Sequence, residues 1–188
     1  MKIRNLNGGT VQGLNILGAS GGSNIKSIQK ISTTITNGDA TKNVTINAVT
    51  ATKSIVYLTF YKTTAANAST IFISVEITSS TNIMLTRSSS NDTVVIECFV
   101  VEFYNVKSKQ TGSLSLVANT ASNTASISSV DTSKSLLFFS YYTNYGSNIV
   151  GNCLCSGTIT NATTLTFSHI NTGAADIKYI KWQMIEFY

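Results

Sequence analysis

Residues 93–104 read Thr-Val-Val-Ile-Glu-Cys-Phe-Val-Val-Glu-Phe-Tyr, and the chain closes on Ile-Glu-Phe-Tyr at 185–188, an echo of Val-Glu-Phe-Tyr at 101–104. The earlier run is almost entirely β-branched, aliphatic or aromatic and carries no helical period, so it reads as a strand. Its reappearance at the end suggests that one folding unit is used twice.

The rest of the chain supports that reading. At an offset of 81 positions (24 to 105), Asn24-Ile25-Lys26-Ser27-Ile28-Gln29 falls on Asn105-Val106-Lys107-Ser108-Lys109-Gln110. Without a gap, Ile46 meets Ile127, Val49 meets Val130, Lys53-Ser54 meets Lys134-Ser135, and Phe60-Tyr61 meets Tyr141-Tyr142. One extra residue aligns Ile77-Thr78-Ser79-Ser80-Thr81 with Ile159-Thr160-Asn161-Ala162-Thr163, and two more align 101–104 with 185–188. The slips fall among turn residues, where insertions between strands are tolerated. The sequence therefore predicts a tandem duplication, with repeat one at 24–104 and repeat two at 105–188, preceded by an N-terminal arm at 1–23.

Within the first repeat, the β-rich runs are SIQKISTTI, NVTINAV, SIVYLTF, TIFISVEI, NIMLTR and TVVIECFVVEFY, separated by turn clusters such as Thr36-Asn37-Gly38-Asp39 and Ser88-Ser89-Ser90-Asn91-Asp92. Strands at this spacing predict an all-β protein of two tandem antiparallel β-sandwich domains rather than βαβ units. Thr70–Ile77 alternates as a half-buried strand does, Phe72 apart. SIVYLTFY, and SLLFFSYY in repeat two, are apolar on both faces and so predict central strands. Cys98 aligns with Trp182 and Tyr57 with Phe138, which predicts packing positions whose volume is redistributed between the copies.

Composition narrows the class. Charged residues make up only 11% of the 188, while Ser, Thr and Asn exceed a third, and proline is absent, so Gly, Asn, Asp and Ser must make the turns. The recurrent apolar runs argue against disorder. No stretch approaches the ~20 apolar residues of a membrane-spanning helix. The N-terminus lacks the apolar core and cleavage site of a signal peptide, which predicts synthesis and retention in a cytoplasm until assembly or lysis. The sequons at Asn43, Asn67, Asn91 and Asn161 are what chance supplies at this composition. A formal charge of +5 from scattered lysines gives no nucleic-acid stripe. Cys98, Cys153 and Cys155 are expected to be free thiols, buried or nearly so. Cys153 and Cys155 are two apart, so on a strand they would share a face and not bridge each other, and nothing nearby completes a metal site.

No motif for catalysis stands out. The acids are Asp39, Glu76, Asp92, Glu97, Glu102, Asp131, Asp176 and Glu186. Glu102 and Glu186 are one position in two copies, which points to a structural role, such as pairing with Lys26 or Lys107. His169 aligns with Arg87 at a strand end, where a polar cap is needed rather than a general base. There is no phosphate loop, nucleophile elbow or metal-ligand spacing, so the expectation is a non-enzyme with no cofactor and no metal. Tyr142, Asn144 and Tyr145 are an aromatic-plus-amide cluster that could supply a platform for stacking on a sugar, although Tyr141-Tyr142 also reads as the end of a core strand.

Several of these segments together resemble a repeat of tailed-bacteriophage virion structural proteins. They are Ile25-Lys26-Ser27-Ile28-Gln29, Val49-Thr50-Ala51-Thr52-Lys53-Ser54, Glu76-Ile77-Thr78-Ser79-Ser80-Thr81-Asn82-Ile83, Arg87 and Val101-Glu102-Phe103. In repeat two, Val130-Asp131-Thr132-Ser133-Lys134-Ser135 and Ile159-Thr160-Asn161-Ala162-Thr163-Thr164 match especially well, whereas Lys109 and His169 depart from the pattern. The resemblance covers 24–188. It implies a non-enzymatic β-sandwich protein present in many copies on a virion, as capsid decoration or head fibre, whose partners are other virion proteins. The alternative is a tail-fibre-associated module that binds a receptor or host-surface glycan.

The arm stands outside the duplication. It combines Lys2 and Arg4 with Ile3, Leu6, Val11, Leu14, Ile16 and Leu17, spaced by glycines. Such a segment buries too little by itself to offset its ordering entropy, but it can do so by adding a strand to a partner's sheet. These residues are the candidate particle-binding site.

Overall fold

A computed structural model describes residues 24–62, 67–144, 146, 153–169 and 177–188, and it is nearly all β. The first half comprises β1 (Ile25–Ile35), β2 (Thr41–Thr45), β3 (Ser54–Tyr61), β4 (Ser74–Ser79), β5 (Asn82–Thr86) and β6 (Val94–Phe103). The second comprises β7 (Val106–Leu116), β8 (Ser122–Ser126), β9 (Ser135–Thr143), β10 (Cys155–Asn161), β11 (Thr164–His169) and β12 (Lys178–Phe187). Tyr104 and Asn105 join the halves. Asn24 ties down that joint, because its main-chain oxygen accepts from Tyr104 N at 2.9 Å and its side-chain oxygen from Asn105 N at 2.9 Å.

Strand order is the same in both halves. The first has three-stranded antiparallel sheets β1-β6-β3 and β2-β5-β4; the second has β7-β12-β9 and β8-β11-β10. Each pair of sheets shares one core. Ile35, Val44, Val56, Val75, Ile83, Leu85, Ile96 and Cys98 cluster in the first half. Leu116, Leu165, Phe167, Ile180, Trp182 and Met184 cluster in the second. Burying each such aliphatic or aromatic side chain contributes roughly 1.5–3 kcal/mol. Period-two alternation places even-numbered residues of β6 and β12 inward and odd-numbered residues on the outer faces. The β1–β2 turn uses a positive φ at Gly38 (98°), and the matching turn in the second half uses one at Asn119 (65°). Asn is among the few side-chain-bearing residues that adopt this conformation readily.

Three expectations need correction. SIVYLTFY and SLLFFSYY are edge strands, β3 and β9, because β6 and β12 take the centre of their sheets. The second apolar face of β3 reflects a different burial: Ile55 packs with Val101, Val106, Ile185 and Phe187 in a third cluster where the halves meet. Tyr57 is correspondingly on the outer face, stacked on Phe99 at 4.9 Å, whereas Cys98 and Trp182 are both in cores. Finally, the alternation over 70–77 becomes a strand only from Ser74. Ala68–Ile71 forms one helical turn, α1, in which Thr70 N and Oγ1 both donate to Asn67 O.

Candidate functional site

The residues that define the repeat meet at one end of each sandwich. Glu102, buried on β6, accepts from Lys26 Nζ at 2.9 Å and from Thr50 N at 3.0 Å. Glu186, its counterpart on β12, accepts from Lys107 Nζ at 2.8 Å, Ser108 Oγ at 3.0 Å and Asp131 N at 2.9 Å. Beside them, Gln29 and Gln110 each clamp a backbone, donating to and accepting from Asn47 and Ser128 respectively. Ser54 Oγ donates to Thr50 O, and Ser135 Oγ to Asp131 O. Burial alone would raise the Glu102 carboxyl, but the bonds from Lys26 and Thr50 hold it below the ordinary carboxylate range. The Asp131 amide and Lys107 do the same for Glu186. These carboxylates are fully engaged acceptors that pin the loop before β3 or β9 to the closing strand.

The other described acids are also engaged. Lys181 Nζ lies 3.1 Å from Glu76 and Lys30 Nζ 3.6 Å from Glu97, while Lys62 pairs with Asp92. Asp131 caps a short turn by accepting from Ser133 N at 2.9 Å. Asp176 lies outside the described residues. Among the described residues no three His, Cys, Asp or Glu side chains are grouped to hold a metal. Cys98 and Cys153 are buried and Cys155 half-buried, and none of them is in a disulfide; burial pushes the Cys98 and Cys155 thiols up to about 12.

Arg87 and His169 cap equivalent carbonyls. Buried Arg87 donates from Nε to Asp39 O at 2.9 Å, and from its terminal nitrogens to Thr70 O at 3.2 Å and Thr36 O at 2.7 Å. His169 Nε2 lies 2.7 Å from Thr120 O, the counterpart of Asp39 O. Its Nδ1 is 3.0 Å from Lys178 Nζ, which makes Nδ1 the acceptor and Nε2 the donor. Lys178 is buried where the first half has Val94, so a short imidazole and a relocated cation stand in for one long guanidinium.

Of the candidate glycan cluster, Tyr142 stacks on Tyr179 at 4.8 Å, which occupies one ring face. Asn144 closes the end of β9: its side-chain oxygen accepts from Ile177 N at 2.8 Å and its own N donates to Ile177 O at 3.2 Å. Tyr145 lies outside the described residues, as do Lys2, Ile3, Arg4, Leu6, Val11, Leu14, Ile16 and Leu17 of the arm.

The two halves also meet at a specific junction. The outer face of β7-β12-β9 receives the side of the first sandwich formed by β3, β4 and α1. Gln183, buried on β12, reaches the free edge of β3, donating from Nε2 to Val56 O at 2.7 Å and accepting from Val56 N at 3.1 Å. Ser140 Oγ does the same for the free edge of β4, accepting from Val75 N at 2.8 Å and donating to Val75 O at 3.3 Å. Lys109 Nζ donates to Ala51 O at 2.9 Å, and burial pushes this ammonium down to about 8. Phe72 stacks on Tyr141 at 5.2 Å and Phe103 meets Phe187 edge-on at 5.2 Å. A cleft of about 140 Å³ remains between Val75, Glu76, Lys109, Lys181 and Trp182.

No protein-family model, curated protein or solved structure matches the chain.

The sequence reading missed Gln183 and Ser140 as junction residues, although one signal pointed there. Lys109 departs from the repeat because it faces a neighbour that its counterpart Ile28 lacks.

Proposed function

We propose that this is a non-enzymatic structural protein of a bacteriophage virion, a capsid-decoration or head-fibre component anchored through its N-terminal arm. The observation that carries the reading is the fate of the repeat's polar signature. Lys26, Gln29, Ser54, Glu102 and their counterparts Lys107, Gln110, Ser135 and Glu186 are spent on internal bonds in both halves. A motif used in this way builds a rigid scaffold rather than presenting a reactive group. Cysteines outside any disulfide and a low-charge composition rich in Ser, Thr and Asn suit a protein made in a reducing cytoplasm and displayed outside it.

The test is deletion of residues 1–20. The shortened protein should melt cooperatively, remain soluble and no longer co-purify with phage heads. Decoration of heads at normal occupancy by the shortened protein would overturn the arm's role. A glycan-array signal lost on Tyr145→Ala would move the assignment to a tail-associated receptor-binding module.

A further inference from the structure

The junction between the halves is heterologous: one sandwich offers its outer sheet face, the other its β3–β4 edge. A two-fold arrangement would use one patch twice, whereas this one leaves, among the described residues, the β9–β10 edge of the second half unengaged and engages the first half's outer face only at the corner where Ile55 and Val101 lie. We infer that the protein self-associates head to tail, with the β9–β10 edge of one molecule seated on the outer face of β1-β6-β3 of the next.

The exposed apolar residues fall where this repetition requires. On the second half's face, Lys109 and Phe138 contact the first half; their counterparts Ile28 and Tyr57 are 58% and 39% exposed. On β3, the terminal strand that offers the edge, Ile55 shares the outer face with Tyr57 and is 2% exposed within the junction cluster, while its counterpart Leu136 on β9 is 49% exposed. Isoleucine, tyrosine and leucine thus stand in water at three positions whose equivalents are engaged inside the molecule.

The backbone repeats the same pattern. Val56 and Val75 present an outward N–H and C=O because β3 and β4 are terminal strands, and Gln183 and Ser140 satisfy them. The matching positions are Leu137 on β9 and Gly157 on β10, also terminal strands among the described residues. A terminal strand presents outward N–H and C=O groups that are a template for docking. The receiving face carries Thr59 where the second half has Ser140, so one hydroxyl clamp is retained, and Phe99 where it has Gln183. Its charges, Lys30 and Glu97, are paired with each other and oppose nothing. Without the glutamine clamp, and without the tether that sets a high effective concentration inside one chain, the contact between molecules is weaker than the internal one. It suits assembly on a crowded surface rather than a permanent oligomer.

The test follows the full-length protein by sedimentation velocity from about 1 μM to about 1 mM, the range in which weak contacts register. The weight-average mass should rise steadily with concentration, beyond that of two chains. Ile28→Glu charges the receiving face of the first half, and Leu136→Glu charges β9, the terminal strand that the second half offers. Each variant alone should stay monomeric, yet an equimolar mixture should form a two-chain species and nothing larger. Wild type that stays monomeric throughout, or that stops at a two-chain species, overturns the inference. So does a mixture that behaves as the sum of its parts. Thermal melts check that both variants fold, with Ile28→Lys and Leu136→Lys as the second pair.

Discussion

Replacing Gln183 by methionine isolates the junction clamp. Methionine keeps the length and most of the volume, so the apolar packing survives and only the two hydrogen bonds to Val56 go. Val56 is fully buried, and its N–H and C=O would be left dry. Each unsatisfied buried group costs about 1–3 kcal/mol, so the variant should lose about 3 kcal/mol. In a chain of this size about 1 kcal/mol shifts Tm by roughly 2–4 °C, giving a fall of about 6–12 °C. The control is Gln110→Met, which breaks the same two-bond clamp on Ser128 where that backbone lies exposed. Water replaces those bonds, and the expected loss is about 1 kcal/mol or less. Urea unfolding followed by circular dichroism and by the fluorescence of the single tryptophan, Trp182, measures both variants. If Gln183→Met costs no more than Gln110→Met, the clamp is not buried in solution and the junction is looser than described.

Arg87→Met should cost about 3 kcal/mol or more, because three backbone carbonyls around a fully buried guanidinium lose their donors; denaturant titration checks it. Gly112→Ala would put a Cβ 2.5 Å from Trp182 Cζ2, so it should destabilise by about 1–3 kcal/mol through overpacking, seen as a lower Tm and altered tryptophan emission. Stability should fall on acidification below about pH 4.5. The folded Glu102 and Glu186 carboxyls lie below their unfolded value, so their contribution is complete above that value and is lost as pH drops through the folded one. Titrating the double variant Glu102→Gln, Glu186→Gln should show lower stability at pH 7 and a shallower acid limb.

The fold class was legible because alternation and turn chemistry are local. Val94–Phe103 declares its inner and outer faces by itself, and the echo of Val-Glu-Phe-Tyr marks where the second unit ends. The pairing of Glu102 and Glu186 with Lys26 and Lys107 was also legible, since a charge repeated in both copies beside a repeated lysine has one economical explanation. Strand position within the sheet was not. A strand apolar on both faces reads as central, but β3 owes its second face to a neighbouring sandwich, and a one-dimensional pattern does not say which neighbour buries a face. Gln183 was invisible for the same reason: an amide in an apolar strand has no local signature, and its partner lies 127 residues away in sequence.

The places where the copies agree and differ follow from the same asymmetry. Lys26 and Lys107, Ser27 and Ser108, Gln29 and Gln110, and Glu102 and Glu186 are identical because each does the same job inside its own sandwich. Outer-face positions have diverged: Ile28 against Lys109, Glu97 against Lys181, Phe99 against Gln183. Two identical units in a head-to-tail contact cannot have identical surroundings, since one receives a neighbour on its face and the other presents its edge. Substitutions that improve the received contact, such as a lysine reaching Ala51 O or a glutamine reaching Val56, help only the second copy. The first copy keeps Ile28 and Tyr57 exposed at the matching positions, which is the face the proposed second molecule would meet.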